Sequence, residues 1–507
     1  MGTVCNAAAT RAALVLALAL ALAERATAQS PAPLTVGDVV RRVLAASPLI
    51  HQEELNRDAS RGAMVAAAGL FDAAIGAFVS GSQSRDVLSG ADAAASRTAA
   101  SGYGVTLSKR LRTGITMAHD LTVAHSRSGA PLSPYSSHAA LSLIVPLLQD
   151  RGGASSRAVE RAAGARFDAA ERSVQHTATE AVRDAVILYW AYVGAYQRLE
   201  VRRASVFRAT RMMAEMQVLV DAGERPPADL IQLRANLMSK RIAQMSGEQD
   251  VIAARHQLGI AMALPPEEVG ALPPPTSDVP AIDSLTPDNA EVANLVAGAL
   301  ANRADLKTVL DERRAVAIEL AAASNERLGR IDLSGDVAFD GVRSPSLPAS
   351  ISDLLRRSQS GFKSRLVLQY ERPLSNAASR GRALAAQAAE GSAELAEADL
   401  RRRIASAVLV AVNALMIQSR TAVESRAAAS LYQTAVNNER RKYELGTGTI
   451  IEVLLSEDAL TSAQLDEVDR RLAVMGAIAV LRFETATLVT RTASGPTANV
   501  DPPFLSR

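Results

Sequence analysis

The chain has 507 residues, of which 48% are hydrophobic but only 3% are aromatic. A large globular core normally uses more Phe, Tyr and Trp than this, so the composition argues against one and favours long, Ala-rich helices packed side by side. The 55 basic and 53 acidic residues leave a formal net charge of +2, which excludes a general affinity for polyanions such as nucleic acids.

The first 28 residues have the pattern of a secretory signal peptide. Arg11 supplies a positive charge, residues 12–23 form a short apolar run, and Ala26-Thr27-Ala28 is a small-residue cleavage site. The alternative is an N-terminal membrane anchor, but the run is too short for a helix that must span about 30 Å of hydrocarbon. The single cysteine, Cys5, precedes the run, so we expect a mature chain without thiols, disulfides or cysteine ligands for a metal.

Beyond residue 28 the pattern predicts two copies of one helix–strand–strand–helix–helix unit. The first repeat, 29–263, contains a helix that breaks at Ser47-Pro48, outer-membrane-type strands, and a long helical hairpin. Its elements are predicted at 34–69, about 71–146, 151–219 and 227–263. The second repeat, 289–490, has the corresponding elements at 289–327, about 331–372, 377–444 and 449–490.

Two segments lie outside these repeats. The Pro-rich segment 264–288 is predicted to link them, and residues 491–507 form a C-terminal tail. We expect both to pack outside the main helical body.

Apolar residues recur with a period of two in the predicted strands. In the second repeat they are Ile331, Leu333, Val337 and Phe339, then Leu366, Leu368 and Tyr370. In the first repeat they are Phe71, Ala73, Ile75, Ala77 and Val79, then Ala139, Leu141, Leu143 and Val145. Such strands suit a transmembrane β-barrel. A half-buried sheet in a soluble domain shows the same alternation, so the pattern alone does not separate the two.

The predicted long helices would each extend about 100 Å at 1.5 Å per residue. Helices of that length have no place in a compact domain and favour a coiled-coil-like rod or tube. After residue 28 no window holds 18 uninterrupted apolar residues, so we expect no membrane-spanning helix, and any crossing would need a closed β-barrel.

Each long helix is followed by a glycine turn. The second turn reads Tyr443-Glu444-Leu445-Gly446-Thr447-Gly448-Thr449, and the first reads Val220-Asp221-Ala222-Gly223. When Gly223 is superposed on Gly446, the flanking apolar positions coincide without a gap, for example Leu230 with Val453 and Leu237 with Leu460. The alignment predicts a two-fold internal repeat centred on an αα-hairpin.

No pattern for catalysis, a metal or a cofactor emerges. The six histidines never fall at i, i+4, no Cys/His cluster exists, and neither a P-loop nor a G-x-S-x-G motif occurs. Arg401-Arg402-Arg403 is flanked by Glu397 and Asp399 and is better interpreted as a solvated helix face than as a nucleic-acid site. The sequence therefore predicts no enzyme, no cofactor and no metal.

The ordered set of signal peptide, duplicated units and glycine turns resembles the TolC family of outer-membrane efflux and secretion proteins (outer membrane factors). The turn from Tyr443 to Leu454 is similar to the family's second hairpin tip, and Val220–Gly223 with Asp229-Leu230 is similar to the first. The resemblance covers essentially the whole mature chain. It implies an all-α barrel of long helices joined to transmembrane β-barrel strands, built as a homotrimeric duct.

Membership would further imply a passive channel of a tripartite efflux pump or type I secretion system. Such a channel lies in the outer membrane of a Gram-negative cell with its helices in the periplasm, and it contacts a periplasmic adaptor that couples it to an inner-membrane pump. The resemblance implies that the residues which contact the adaptor are those of the two tips. They are Ala222, Gly223, Asp229, Leu445, Gly446, Thr447 and Thr449.

Two features depart from the family pattern. The first tip carries Glu224-Arg225-Pro226-Pro227, where the family usually has small or apolar residues. The first repeat also offers an additional hairpin over about 103–123, turning at 109–114. Four strands per chain are expected from the family; six would require a larger barrel, and we expect the additional hairpin to lie outside it.

Two other functions stay open at this point. One is a structural periplasmic coiled-coil protein without a pore, and the other, less favoured, is an enzyme. Family ducts narrow at the periplasmic end, and Asp221, Arg440 and Arg441 lie near that position, although periodicity does not fix whether they face inward.

Overall fold

The computed structural model describes residues 33–87, 95–127, 135–276, 287–341, 346–355, 360–492 and 495–498. The predicted signal peptide lies outside the described residues, as do most of the predicted tail and part of the predicted linker.

The described residues form the following helices and strands. The helices are α1 (Val36–Ala46), α2 (Pro48–Ala68), α3 (Ser156–Asp221), α4 (Pro227–Ala261), α5 (Pro266–Val269), α6 (Asn289–Asn302), α7 (Ala304–Asn325), α8 (Leu347–Leu355), α9 (Ala377–Glu444) and α10 (Ile450–Glu484). The strands are β1 (Ala73–Val87), β2 (Ala95–Arg110), β3 (Thr116–Arg127), β4 (Tyr135–Pro146), β5 (Arg330–Gly341), β6 (Ser360–Glu371), β7 (Val489–Thr492) and β8 (Gly495–Ala498).

The predicted break near Ser47 is confirmed and has a counterpart in the second repeat. Ser47 leaves the helical conformation with ψ of 123°, and α2 restarts at Pro48, where the missing N–H costs nothing. Arg303 interrupts α6 and α7 in the same way, with ψ of 129°. Both leading helices, α1 and α6, start with a capping box, Thr35 with Asp38 and Asp288 with Glu291, which satisfies their first free N–H groups.

Residues cluster into two compact units. Of the described residues, one unit contains those up to His51, those of His176–Arg303 and those from Arg403 on; the other contains those of Gln52–Gln175 and Ala304–Arg402. Each unit takes residues from both predicted repeats, so the repeat boundaries stay a prediction.

In the second unit, β1 to β6 form one antiparallel sheet in the order β1-β2-β3-β4-β5-β6. The additional hairpin, which was expected to lie outside the barrel, consists of β2 and β3 and is part of this sheet, where each strand pairs with a neighbour on both sides. That expectation is therefore wrong. β1 continues to Val87 and β2 begins at Ala95, so both strands extend well beyond the alternating residues from which they were predicted. Their Gly- and Ser-rich sequences look like loops but fit a strand whose one face carries small residues.

The edges of some predicted elements also move. Phe71 is not in a strand but in the 3₁₀ turn Gly69–Phe71, where its buried ring lies 4.9 Å from the guanidinium carbon of Arg112. The last helix ends at Glu484 rather than near residue 490, because Ala486 adopts a left-handed backbone (φ 57°) and a short hairpin, β7–β8, follows.

The described part of the Pro-rich linker packs against the helices of the first unit, as expected of a packed linker. Leu34 forms a parallel bridge with Pro275, and the hydroxyls of Tyr189 and Tyr192 donate to the carbonyls of Leu34 (3.1 Å) and Pro273 (3.3 Å).

Among the described helices, α9 has an 18-residue window with a mean hydropathy of 1.4 and few charges, which by length and composition could cross a membrane. Our sequence criterion of uninterrupted apolar residues did not detect it. A single such helix is weak evidence of a span, because helices that pack in a core pass the same test.

Candidate functional site

The first hairpin tip is built where α3 ends and α4 begins. Gly223 has φ of +75°, and the N–H groups of Ala222, Gly223 and Glu224 donate to the carbonyls of Val218, Val220 and Leu219 at 2.9–3.0 Å. These bonds form a Schellman motif, which satisfies the last free carbonyls of α3. Pro226 then occupies the N-cap of α4 without a side-chain cap, and Asp229 lies in its first turn.

The second tip, between α9 and α10, repeats this geometry. Gly446 has φ of +76°, and the N–H groups of Leu445, Gly446 and Thr447 donate to the carbonyls of Arg441, Tyr443 and Lys442 at 3.0 Å.

The two tips differ at the start of the returning helix. Thr449 caps α10, because its hydroxyl accepts from the N–H of Glu452 (3.3 Å) while the Glu452 carboxylate accepts from the N–H of Thr449 (2.7 Å). These bonds hold the pKa of Glu452 below its ordinary value. Pro226, at the equivalent position in the first tip, makes no such bond, so the first tip lacks the cap that the second tip has.

A shared apolar cluster brings the two tips together within the first unit. Met216, Leu230 and Leu233 of the first hairpin are buried with Ile450 of the second, and Tyr443 packs against them. The Tyr443 hydroxyl lies 3.7 Å from the sulfur of Met216. The sequence-predicted tip residues therefore lie close together in space, although they are more than 200 positions apart in the chain.

Arg225, which the sequence marked only as a departure, contacts the opposite tip. Its guanidinium carbon lies 4.7 Å from the centre of the Tyr443 ring, a cation–π geometry. Burial raises the pKa of Tyr443; the Arg225 charge lowers it and Asp229 raises it further.

A buried ion pair behind the tips also joins the two hairpins. Glu457 of α10 is buried and accepts from the guanidinium of Arg208 on α3 (2.8 Å) and from that of Arg440 on α9. Arg208 also donates to the Thr461 hydroxyl (3.3 Å). Arg440, considered above as a constriction residue, is thus engaged within the chain. Asp221 and Arg441 make local contacts instead, with Gln217 (2.9 Å) and Glu444 (3.4 Å).

A cavity of about 620 Å³ lies between the two hairpins, next to the shared cluster. Its lining is mixed: Met212, Met216 and Ile450 are apolar, whereas Arg208 and Glu215 are charged.

The six-stranded sheet has one apolar and one polar face. Residues directly opposite each other in neighbouring strands point to the same side, so one row across the sheet shows each face. One row is apolar on every strand: Ala77, Val105, Leu121, Ala139, Phe339 and Phe362. The adjacent row is small or polar on every strand: Gly76, Thr106, Asp120, Ala140, Ala338 and Lys363.

The apolar face continues in the other rows and confirms the predicted alternation. Its large side chains are exposed, among them Ile75, Val79, Leu107, Leu141, Leu366, Leu368 and Tyr370. His119 is a polar exception, and its Nδ1 lies 2.7 Å from the carbonyl oxygen of Ala140. No described element of this chain covers most of this face.

Asp150 connects the sheet to the helices of the second unit, a role that no sequence motif indicated. Its Oδ1 accepts from the N–H groups of Ser155 and Ser156 at the start of α3, and its Oδ2 accepts from Arg110 at the end of β2, all at 2.8 Å. Burial would raise the pKa of Asp150, but the bonds from Ser156, Ser155 and Arg110 hold it below its ordinary value. Asp150 has a left-handed backbone (φ 61°) and lies in an irregular turn. Because such a turn has no sequence periodicity, the sequence analysis did not detect this site.

Comparison with known proteins finds a likeness of fold. The chain matches no protein-family model and no curated protein. It does match solved structures over 89% of its length. The outer-membrane channel OprN gives a TM-score of 0.66 at 16% identity over 90% of that chain. The CmeC outer-membrane channel of Campylobacter jejuni gives 0.64 at 13% over 85%, and the outer-membrane protein VceC of Vibrio cholerae gives 0.65 at 14% over 95%.

The agreement with these outer-membrane proteins confirms the sequence resemblance at the level of the fold. The chain has the fold of the TolC-family outer-membrane channels.

Proposed function

We propose that this chain is the protomer of an outer-membrane channel of the TolC family, which assembles as a homotrimer and conducts substrates passively from the periplasm to the exterior. The observation that carries the proposal is the sheet: six strands with one exposed apolar face and one small, polar face. A soluble sheet would bury that apolar face, whereas a transmembrane barrel presents it to lipid and lines its lumen with the other.

The edges of the sheet support an oligomer. β1 and β6 each pair on one side only, and unpaired backbone groups cannot be left in hydrocarbon. Because β1 and β6 run in opposite directions, β1 of one copy can pair antiparallel with β6 of the next. Three copies of six strands close a barrel of eighteen, an even number as antiparallel closure requires.

Two neighbouring stripes on α4 support a tube of helices. One stripe is buried in the chain and consists of Leu230, Leu237, Val251 and Leu258, which are separated by seven, fourteen and seven residues. The next, spaced by sevens, is exposed and consists of Ile231, Met238, Met245 and Ile252. A seven-residue repeat is the spacing of a coiled-coil seam, so we assign the exposed stripe to contact with another copy.

The finer assignments rest on the same proposal. The matched tips and helix breaks support an internal duplication. The tip residues Ala222, Gly223 and Asp229, with Leu445, Gly446, Thr447 and Thr449, contact a periplasmic adaptor that joins the channel to an inner-membrane pump. The duct performs no chemistry, so the free energy of transport comes from that pump, in an efflux or a type I secretion system.

The experiment is electrophoresis of the purified outer-membrane fraction. We expect a trimer band without heating that becomes a monomer band after heating. A monomer found only in the soluble periplasm would contradict the proposal and favour a structural coiled-coil protein.

A further inference from the structure

We propose that α8, the helix between β5 and β6, is an interfacial membrane helix that lies in the outer leaflet and contacts lipid through Leu347 and Ile351. The inference rests on the proposed function, because it requires the apolar face of the sheet to face lipid.

The position of α8 on the sheet is the first observation. Ser137 and Gly341 lie two residues beyond Ala139 and Phe339, on the apolar face. The Ser137 hydroxyl donates to the carbonyl of Ser350 (2.6 Å), and a Cβ on Gly341 would lie 3.0 Å from that same oxygen. α8 therefore lies over the apolar face, at the end of the sheet opposite to the start of α3.

The orientation of α8 is the second observation. Ser350 is fully buried against the sheet (0% exposed), whereas Leu347 and Ile351, one turn apart, are each 36% exposed. A helix on the surface of a water-soluble protein turns its apolar side inward. In α8, Leu347, Ile351 and Leu354 lie within about 100° of the sheet-facing Ser350 around the helix, and the Cγ atom of Leu354 is 3.6 Å from where a Cβ on Gly341 would be. The apolar stripe therefore runs along the flank of α8 beside the sheet, and its residues Leu347 and Ile351 are left exposed there.

Three small residues, Ser137, Gly341 and Ser350, lie at the contact between α8 and the sheet, together with Leu354, and they allow the two backbones to approach closely. Small residues at the contact are typical of packing inside a membrane, where no hydrophobic effect drives two elements together.

Lipid is a better occupant than a second copy. α8 contacts β4 and β5 most, and β3 and β6 less, so it lies over the inner strands of the sheet. A neighbouring protomer would join at the free edge of β1 or β6. Leu347 and Ile351 are exposed, as are Phe362 and Leu366 on the apolar face of β6. A helix with this character buries its apolar side about 5–10 Å into the boundary between headgroups and acyl chains.

The test is spin-label accessibility in vesicles of phosphatidylethanolamine and phosphatidylglycerol. Because Cys5 is the single cysteine and precedes the predicted cleavage site, each variant carries one label. Leu347→Cys and Ile351→Cys report on α8. Leu366→Cys is the control for the apolar face, and Arg365→Cys is the control for the polar face. All four are first checked for the heat-sensitive trimer.

We expect labels at 347 and 351 to collide with oxygen and to be shielded from a polar nickel complex, as at 366, with an oxygen-to-nickel ratio several-fold above that at 365. Nickel access at both α8 positions with shielding at 366 would overturn the inference and leave the channel intact. Shielding from both reagents at 347 and 351 would mean that protein covers α8, which also overturns it. Nickel access at 366 as well would refute the proposed function itself.

Discussion

Gly223 and Gly446 hold the same left-handed backbone, with φ of +75° and +76°, and the same three hydrogen bonds end the helix before each of them. A side chain at either position would meet open space. Glycine is therefore required at both by the backbone conformation and not by crowding.

Replacing Gly446 with valine should destabilise the second tip by about 1–2 kcal/mol, because an L-residue with a branched side chain is strained in this conformation. We expect faster amide hydrogen exchange over residues 442–449 and impaired export, with the heat-sensitive trimer retained. Gly476→Ala is the control, since Gly476 is in α10 and also faces open space. Unchanged export from Gly446→Val would show that the tip assignment is wrong.

Replacing Glu457 with glutamine should destabilise the contact between the hairpins by about 3 kcal/mol, because it removes a buried carboxylate that two guanidinium groups share. Hydrogen exchange over residues 453–461 measures the effect. Glu444→Gln removes the exposed partner of Arg441 and should change little. Equal effects from the two variants would refute the role of Glu457.

The free energy of unfolding should decrease at acid pH, and part of that decrease should come from protonation of Asp150. Its pKa is depressed in the folded state, so its contribution is complete above the unfolded pKa of about 3.9 and is lost as the pH drops through the lower folded value. Asp150→Asn should cost about 2 kcal/mol of folding free energy at neutral pH and flatten the acid limb of the thermal midpoint between about pH 5 and pH 2. Asp58→Asn, at an exposed pair with Arg57, is the control; an unchanged acid limb in Asp150→Asn would contradict the assignment.

Charges placed in the exposed stripe of α4 should break the assembly without unfolding the chain. Met238→Glu with Met245→Glu puts two carboxylates into the proposed seam between copies, where charge is costly to bury. We expect loss of the trimer band and an unchanged far-ultraviolet circular dichroism spectrum. Ser239→Glu adds a charge at an exposed position outside both stripes and should leave the trimer intact. A trimer that survives the double variant would show that the seam lies elsewhere.

Periodicity and turn chemistry made most of the fold predictable. The break at Ser47-Pro48, the tip glycines and the alternating strands each follow from a local rule, and the structure places them within a few residues of the predicted bounds. The additional hairpin was misplaced, because alternation identifies a strand but not its neighbours. Pairing is decided by the register between separate segments. Here Val105 pairs with Leu121, and Leu121 pairs with Ala139.

The candidate site was less predictable than the fold. The tip positions came from glycine patterns and a family resemblance, but Arg225 contacts Tyr443 and Glu457 binds Arg208 across more than 200 residues of sequence. Such pairs have no local signature. Asp150 was missed for the opposite reason, since its bonds are local but form an irregular turn.

The most direct test of the account is the conductance of the purified protein in a planar lipid bilayer. An eighteen-stranded barrel that opens through the helices predicts discrete conductance steps, which the Met238→Glu, Met245→Glu variant should abolish. The contradicting result is a trimer that inserts into the bilayer but gives no conductance step at any voltage. If the Gly446→Val trimer also gives none, a closed tip is not the reason, and the claim that this chain forms a duct is wrong.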